Sequence, residues 1–159
     1  MGLVTSVVGK HNIPDSIGAL SSLPGIDYAD HVTLATDVDA TPEQWARAMF
    51  GDVPSVAGRL IWRGLLGLRL SRGRSPATVG GWRIGQRGRD WLRLEAASWF
   101  LGGNFIVHTT DGRVSLATLL HYRRPPGHVV WPALSPIHRR LLPGLLRGGE
   151  ARAAHVTRR

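Results

Sequence analysis

A histidine near the C-terminus and a tyrosine at the end of a predicted strand are the side chains best suited to acid–base chemistry. His138 lies in the segment Ser135-Pro136-Ile137-His138-Arg139-Arg140, and an imidazole titrates near neutral pH. If Trp82, Thr118 and Tyr122 share one side of a sheet, they form an apolar pocket with polar tips. We therefore predict His138 and Tyr122 as catalytic and Trp82 and Thr118 as ligand-binding. The alternative is that His138 hydrogen-bonds the backbone and Tyr122 belongs to the core.

Two further polar residues, Asn104 and His108, complete the predicted ligand-binding set. They lie on one side of a strand together with Ile106, and apolar residues also occupy the other side. The alternation therefore leaves open which side faces the pocket. Glu95 lies two residues after Arg93. It is interpreted either as part of a surface ion pair or as a catalytic carboxylate.

Other common chemistries have little support in the sequence. The seven histidines show no spacing typical of a metal site, and the chain has no cysteine, which excludes thiolate ligands and disulfides. No Gly-x-Ser-x-Gly segment or phosphate-binding glycine loop occurs. The sequence predicts neither a metal nor a cofactor.

The basic residues are distributed unevenly. Residues 1–52 hold seven acidic and two basic residues, a balance of −5, whereas residues 53–159 hold four acidic and 18 basic residues, a balance of +14. Such asymmetry is compatible with an anionic partner, but the arginines are spread along the chain and are also explained as a solvated surface. No apolar run is long enough to cross a membrane and no secretory signal is present, so we expect a cytoplasmic protein without a transmembrane segment.

The first part of the chain is predicted to hold an arm, one strand and two helices. Scattered prolines and glycines predict an irregular N-terminal arm over residues 1–25, and β-branched residues predict a first strand over residues 26–38. Thr41 and Gln44 form a capping box that opens a short helix. A second helix, with apolar residues at three- and four-residue spacing, is expected to begin at Pro54.

The rest of the chain predicts a meander of strands that ends in one long helix. Asp111-Gly112 favours a tight hairpin, and Gly102-Gly103 is expected to interrupt the sheet. The last helix is predicted over residues 135–146, followed by a flexible basic tail over residues 148–159. Strands are expected over residues 81–86, 91–97, 99–101, 104–110 and 114–122.

This α+β order of elements resembles the helix-grip fold of the START-like (SRPBCC) superfamily. Residues 103–107 (GNFIV), 115–122 (SLATLLHY) and 136–141 (PIHRRL) are similar to one bacterial family of unknown function within that superfamily. The resemblance covers residues 26–147, which we predict to be a single domain. It implies a curved antiparallel sheet, two short helices and a long C-terminal helix around a hydrophobic ligand cavity, and it fixes no reaction. Asn104 departs from the family, where an acidic residue is usual.

The resemblance implies a protein that encloses an apolar small molecule. Such a protein can also act on the molecule without a cofactor, as a cyclase, isomerase or lyase of polyketide-like or lipid-like substrates. The alternative is a non-catalytic basic module that binds nucleic acid or an anionic membrane surface. No specific nucleic acid is expected as a partner under the first hypothesis, and a homodimer is compatible with either.

Overall fold

Seven antiparallel strands form one curved sheet, and a long C-terminal helix lies across one of its faces. The computed structural model describes residues 2–52, 55 and 59–158. The order of strands in the sheet is β1-β2-β7-β6-β5-β4-β3. The strands are β1 (Val4–Val8), β2 (Tyr28–Ala35), β3 (Thr78–Val79), β4 (Trp82–Arg87), β5 (Trp91–Ala97), β6 (Leu101–Thr110) and β7 (Arg113–Tyr122).

Among the described residues, three α-helices and a π-helical segment accompany the sheet. They are α1 (Asp15–Gly18), α2 (Pro42–Phe50), the π-helical segment (Arg59–Leu65) and α3 (Gly127–Thr157). The predicted capping box is confirmed, since the Thr41 hydroxyl accepts from Gln44 N and the Gln44 side chain accepts from Thr41 N. The predicted start of the second helix at Pro54 lies outside the described residues. In the part of the chain described, no helix combines the length and apolarity needed to cross a membrane.

Strand alternation divides the sheet into an inner face beneath α3 and an outer face. The inner face carries the larger core, which includes Leu94, Phe105 and Leu116. A smaller apolar cluster on the outer face includes Ile106 and Leu119 and is covered by the N-terminal arm. Because both faces are buried around β6, a strict pattern of apolar and polar residues is not needed there.

The N-terminal arm is more regular than its composition predicts. Residues 1–25 were expected to be irregular, but β1 pairs with β2, from Val4 opposite Leu34 to Val8 opposite Asp30. Most of the β1 side chains are exposed, so backbone hydrogen bonds to the sheet edge, rather than a buried apolar stripe, hold this strand. That is why hydrophobic periodicity did not reveal it.

The strand predictions are confirmed for β5 and for the hairpin, and corrected at the glycine pair. Gly112 has φ 77° in the tight turn between β6 and β7. Gly102 and Gly103 do not interrupt the sheet, because β6 runs through both. A β-carbon at Gly103 would lie 3.2 Å from the indole of Trp82, so this glycine makes room for a ring that lies close to the strand.

The C-terminal helix is much longer than predicted. It begins at Gly127 rather than Ser135 and continues to Thr157, where a flexible basic tail was expected. Pro136 has no backbone N–H, so it cannot donate the helical hydrogen bond to Pro132 O. The Ser135 hydroxyl donates to that oxygen instead, at 3.3 Å. Near the end of the helix, Arg152 Nε donates to Ala48 O of α2 at 2.5 Å, so contact with α2 holds the segment predicted to be a tail.

Candidate functional site

A buried carboxylate on β2 faces a hydroxyl on β7. Asp30 and Thr118 are directly opposite each other in the antiparallel register, and both project from the inner face of the sheet. Each side chain is about 1% exposed. A carboxylate this deep is costly unless polar groups surround it, so its neighbours determine what the site can do.

His138 of helix α3 lies over this pair. Its Nε2 atom is 3.0 Å from Thr118 Oγ1 and 3.1 Å from Asp30 Oδ2. A carboxylate so close to a ring nitrogen favours the tautomer with its proton on Nε2. Nδ1 makes no hydrogen bond to any described residue and is then the atom available to accept a proton.

A tyrosine completes the polar cluster from the same strand as the carboxylate. The Tyr28 hydroxyl donates to Asp30 Oδ2 at 2.6 Å. Burial raises the pKa of Tyr28 far above its ordinary value, and the charge and hydrogen bond of Asp30 raise it further. The phenol therefore stays protonated and remains a hydrogen-bond donor. One oxygen, Asp30 Oδ2, thus lies within hydrogen-bond distance of both Tyr28 and His138.

The second oxygen of this carboxylate is buried without a partner. Asp30 Oδ1 makes no hydrogen bond within the described residues, and neither does the buried Nε1 of Trp131. An unpaired buried acceptor destabilises a fold by about 1–3 kcal/mol. An unpaired carboxylate oxygen in the core does not stabilise the fold. Buried ionisable groups that lower stability in this way are typical of functional sites.

Aromatic rings surround His138 on several sides. Ring centroids of Trp131 and Trp62 lie 5.1 and 5.5 Å from the imidazole centroid, both in edge contacts, and that of Phe105 lies at 6.4 Å. Trp62 also stacks on Trp131 at 5.6 Å. The π-helical segment, β6 and α3 thus restrict how the imidazole can rotate and keep its polar partners away from solvent.

His138 also lines an apolar pocket of about 530 Å³ between the sheet, α2, the π-helical segment and α3. The floor is formed by Trp82 and Phe105 of the inner face, and Trp62 forms part of the wall. Ser55 and His138 are the only lining side chains, among those the structure describes, that carry strongly polar groups. The remaining lining is mostly aliphatic: Met49, Ile61, Leu65, Leu134, Ile137, Leu141, Leu142 and Leu145.

The structure brings three of the predicted site residues together. Trp82 and His138 line the pocket, and Thr118 lies directly behind His138 in hydrogen-bond contact. The chemical roles predicted for them stay predictions. The alternative predicted a hydrogen bond from His138 to the backbone. The two polar contacts of its Nε2 atom are instead to the side chains of Thr118 and Asp30.

The other predicted residues lie elsewhere. Tyr122 ends β7 beside His128, with ring centroids 4.7 Å apart, and does not line the pocket. Asn104 projects from the outer face, where its Oδ1 accepts hydrogen bonds from the arm at Ser22 N. His108 shares that face, with Nε2 3.7 Å from Asp90 Oδ2. The placements of Asn104 and His108 follow from the alternation of β6, which sets both on the face opposite to Thr118, whereas Tyr122 shares the parity of Thr118 but lies at the end of β7.

Sequence reasoning missed Asp30 and Tyr28. The available signal was their position on the same side of β2 as Val32 and Leu34, because an acidic residue on an otherwise apolar side has to be explained. Glu95 forms ion pairs with Arg83 and Arg93, as one of its two interpretations predicted.

Comparison with known proteins and the grouping of potential metal ligands in the described residues add nothing to this description. Within residues 2–52, 55 and 59–158, no three histidine, aspartate or glutamate side chains are grouped so that they could hold a metal ion. Comparisons of the chain with protein-family models, curated proteins and solved structures found no match. The resemblance to the START-like superfamily therefore stays a prediction.

Proposed function

We propose that this protein is a START-like, helix-grip protein that holds an apolar small molecule in the pocket beneath α3. The observation that carries the proposal is the pocket itself, because an almost wholly apolar lining meets one buried, hydrogen-bonded histidine. Pockets that bind small molecules combine these two features, with apolar area for affinity and a few polar groups for orientation.

The order of elements supports the same proposal. The long strand β2 is followed by short helical segments, a meander and a long C-terminal helix, and β2 pairs with β7, the last strand of the chain. This is the layout expected of a helix-grip fold. The additional edge strand β1 lies outside β2 and leaves the inner face unchanged.

The polar cluster supports acid–base chemistry on the bound molecule. Nδ1 of His138 is the ring nitrogen free to accept a proton, and Asp30 beside Nε2 stabilises the imidazolium that results. An apolar surrounding excludes water and strengthens that interaction. A cyclase, isomerase or lyase that needs no cofactor is the reaction class that suits one such base in an apolar pocket.

A neutral fluorescent probe tests ligand binding. N-phenyl-1-naphthylamine is apolar and uncharged, and Trp62 and Trp82 in the lining are placed to transfer excitation energy to it. We expect saturable binding that is abolished in Leu141→Arg, which places a charge at the pocket. Val129→Arg is the matched control, because Val129 is also exposed on α3 but does not line the pocket.

The outcomes separate the two hypotheses for this chain. Binding that is unaffected by Leu141→Arg, or no saturable binding, would contradict the pocket proposal. Binding to DNA or anionic vesicles that decreases steeply with salt would favour the basic-module alternative, since release of counterions makes such binding salt-dependent. Native mass spectrometry of the purified protein complements the probe, because extra mass that is lost on denaturation identifies a bound ligand by its weight.

A further inference from the structure

A second concave surface lies on the outer face of the sheet, away from the His138 pocket. It has a volume of about 650 Å³ and runs between the N-terminal arm and the ends of β5, β6 and β7. We call it the arginine groove, since Arg69, Arg83 and Arg123 line it together with Leu23 and Gly102. Its position on the opposite face makes it independent of the proposed function.

Among the described residues, one acidic side chain, that of Glu95, lines the groove, and two arginines already neutralise it. Glu95 pairs with Arg83, and its Oε2 accepts from Arg93 Nε at 2.8 Å. Burial would raise the pKa of Glu95, but hydrogen bonds from Ser22 and Arg93 and the charges of both arginines outweigh it and hold that pKa below its ordinary value. Glu95 is therefore ionised at neutral pH and has no charge left to balance other groups.

Two further guanidinium groups in the groove have no carboxylate partner in the part of the chain that the structure describes. Among the described residues, Arg69 has no side-chain hydrogen bond or ion pair, and Arg123 makes only a hydrogen bond from Nη1 to Ser98 O at 3.1 Å. His121, also in the lining, has its Nδ1 3.0 Å from Asp27 Oδ2. The groove thus keeps an excess of positive charge in a concave surface, which concentrates anions.

The arm is fixed against the sheet, so the groove exists before any ligand arrives. Asn104 Oδ1 accepts from Ser22 N at 2.8 Å, and Arg93 Nη1 donates to Leu20 O at 2.9 Å. The absence of a side chain at Gly102 lets Leu23 approach, because a β-carbon there would lie 3.2 Å from Leu23 Cδ2. A preformed wall lowers the entropic cost of binding.

We propose that the arginine groove binds a small organic anion. Its carboxylate or phosphate would pair with Arg69 and Arg123, because the planar guanidinium fork matches both oxyanions. Its apolar part would lie against Leu23 and Pro24 of the arm. The chemistry excludes a neutral apolar molecule, which is the ligand class proposed for the pocket on the other face.

Isothermal titration calorimetry with phenyl phosphate, and separately with benzoate, tests the proposal and shows which oxyanion is preferred. We expect saturable binding of at least one of them, with an affinity that falls about tenfold or more in Arg69→Gln/Arg123→Gln, since each lost charge-assisted hydrogen bond weakens binding by about this factor. The charge-matched control is Arg89→Gln/Arg113→Gln, which removes two exposed arginines outside the groove and should change the affinity less than about twofold.

Two results would overturn the proposal: no saturable binding of either compound, or equal losses in the two double variants. In the first case, binding of a DNA duplex would show that the groove takes a nucleic acid instead. Binding of N-phenyl-1-naphthylamine provides the separate readout for the other face. It should be unchanged in Arg69→Gln/Arg123→Gln, so a failure of the groove proposal can be told apart from a failure of the pocket proposal.

Discussion

The carboxylate of Asp30 is the residue on which the polar cluster depends. Its Oδ2 atom accepts from Tyr28 and lies beside His138 Nε2, while Oδ1 is buried with no hydrogen-bond partner among the residues that the structure describes. A buried charged group with incomplete hydrogen bonding lowers the stability of the native state. Such groups are typical of functional sites, where a fixed charge takes part in binding or chemistry. We interpret Asp30 as the residue that orients the imidazole of His138.

Replacing this carboxylate by an amide tests that interpretation. We expect Asp30→Asn to lower the free energy of unfolding by about 1–3 kcal/mol, because two hydrogen bonds to a charged acceptor are weakened. It should also lower the pKa of Tyr28, since the negative charge that helps to raise it is gone while burial remains. Ultraviolet titration in a Tyr122→Phe background measures this, because Tyr28 is then the only tyrosine.

The control for this experiment is Asp39→Asn, at an exposed position of the chain. It should change neither stability nor the tyrosine titration. A Tyr28 titration that is identical in Asp30→Asn and in the parent would show that the hydroxyl does not contact the carboxylate.

His31 makes the stability of the protein depend on pH. Burial lowers the pKa of His31 below 6.5, and the nearby His108 lowers it further, against the opposing effect of Asp30. The unfolded chain then binds a proton more readily than the native state, so stability falls as the pH drops from 6.5 through the lowered value. Urea unfolding at several pH values should show a flatter profile for His31→Gln, with exposed His11→Gln as the control. Parallel profiles for His31→Gln and the parent would contradict this assignment.

At the scale of elements, the close approach of α3 to α2 holds the last turns of the chain. A β-carbon at Gly149 would lie 2.5 Å from Met49 Cγ, whereas nothing lies within 4 Å of one at Gly144 in the same helix. Ala153, one turn further, is also buried. Small residues on the face of α3 towards α2 permit this contact. Because they are small, the sequence of this segment shows no stripe of large apolar residues that would have predicted a packed helix.

The same substitution at the two glycines measures this packing. We expect Gly149→Val to lower the free energy of unfolding by about 1–3 kcal/mol through overpacking. Gly144→Val should be close to neutral, because the new side chain meets open space. Chemical denaturation of both variants provides the comparison. Equal stabilities would mean that residues after 147 do not pack on α2.

At the scale of the whole molecule, the net charge of +9 makes ionic strength a determinant of stability. Repulsion among the arginines destabilises the native state and is screened as the Debye length falls from about 30 Å at 0.01 M to about 8 Å at 0.15 M salt. We expect the melting temperature to rise over this range of sodium chloride. The rise should be smaller in Arg89→Gln/Arg113→Gln, and a melting temperature that falls with salt would show that ion pairs such as Arg93–Glu95 outweigh the repulsion.

Sequence periodicity predicted the helices and strands well where one face of the element is buried and the other is exposed to solvent. The alternation in β5 and the capping box of α2 depend only on neighbouring residues, and both are confirmed. Alternation could not orient Asn104, because Ile106 and Phe105 on opposite sides of β6 are both buried, one under the arm and one under α3. A strand buried on both faces carries no periodic signal.

The sequence by itself determined the α+β class, the meander and the presence of a C-terminal helix, although not its length, and it named His138 and Thr118 as candidate site residues. Only the tertiary structure decided that Asp30 joins them and that Tyr122 does not. The physical reason is distance along the chain: Asp30, Thr118 and His138 come from β2, β7 and α3, and their contacts are made only when the strands pair in one register and the helix packs over them. Local propensity cannot encode such long-range contacts.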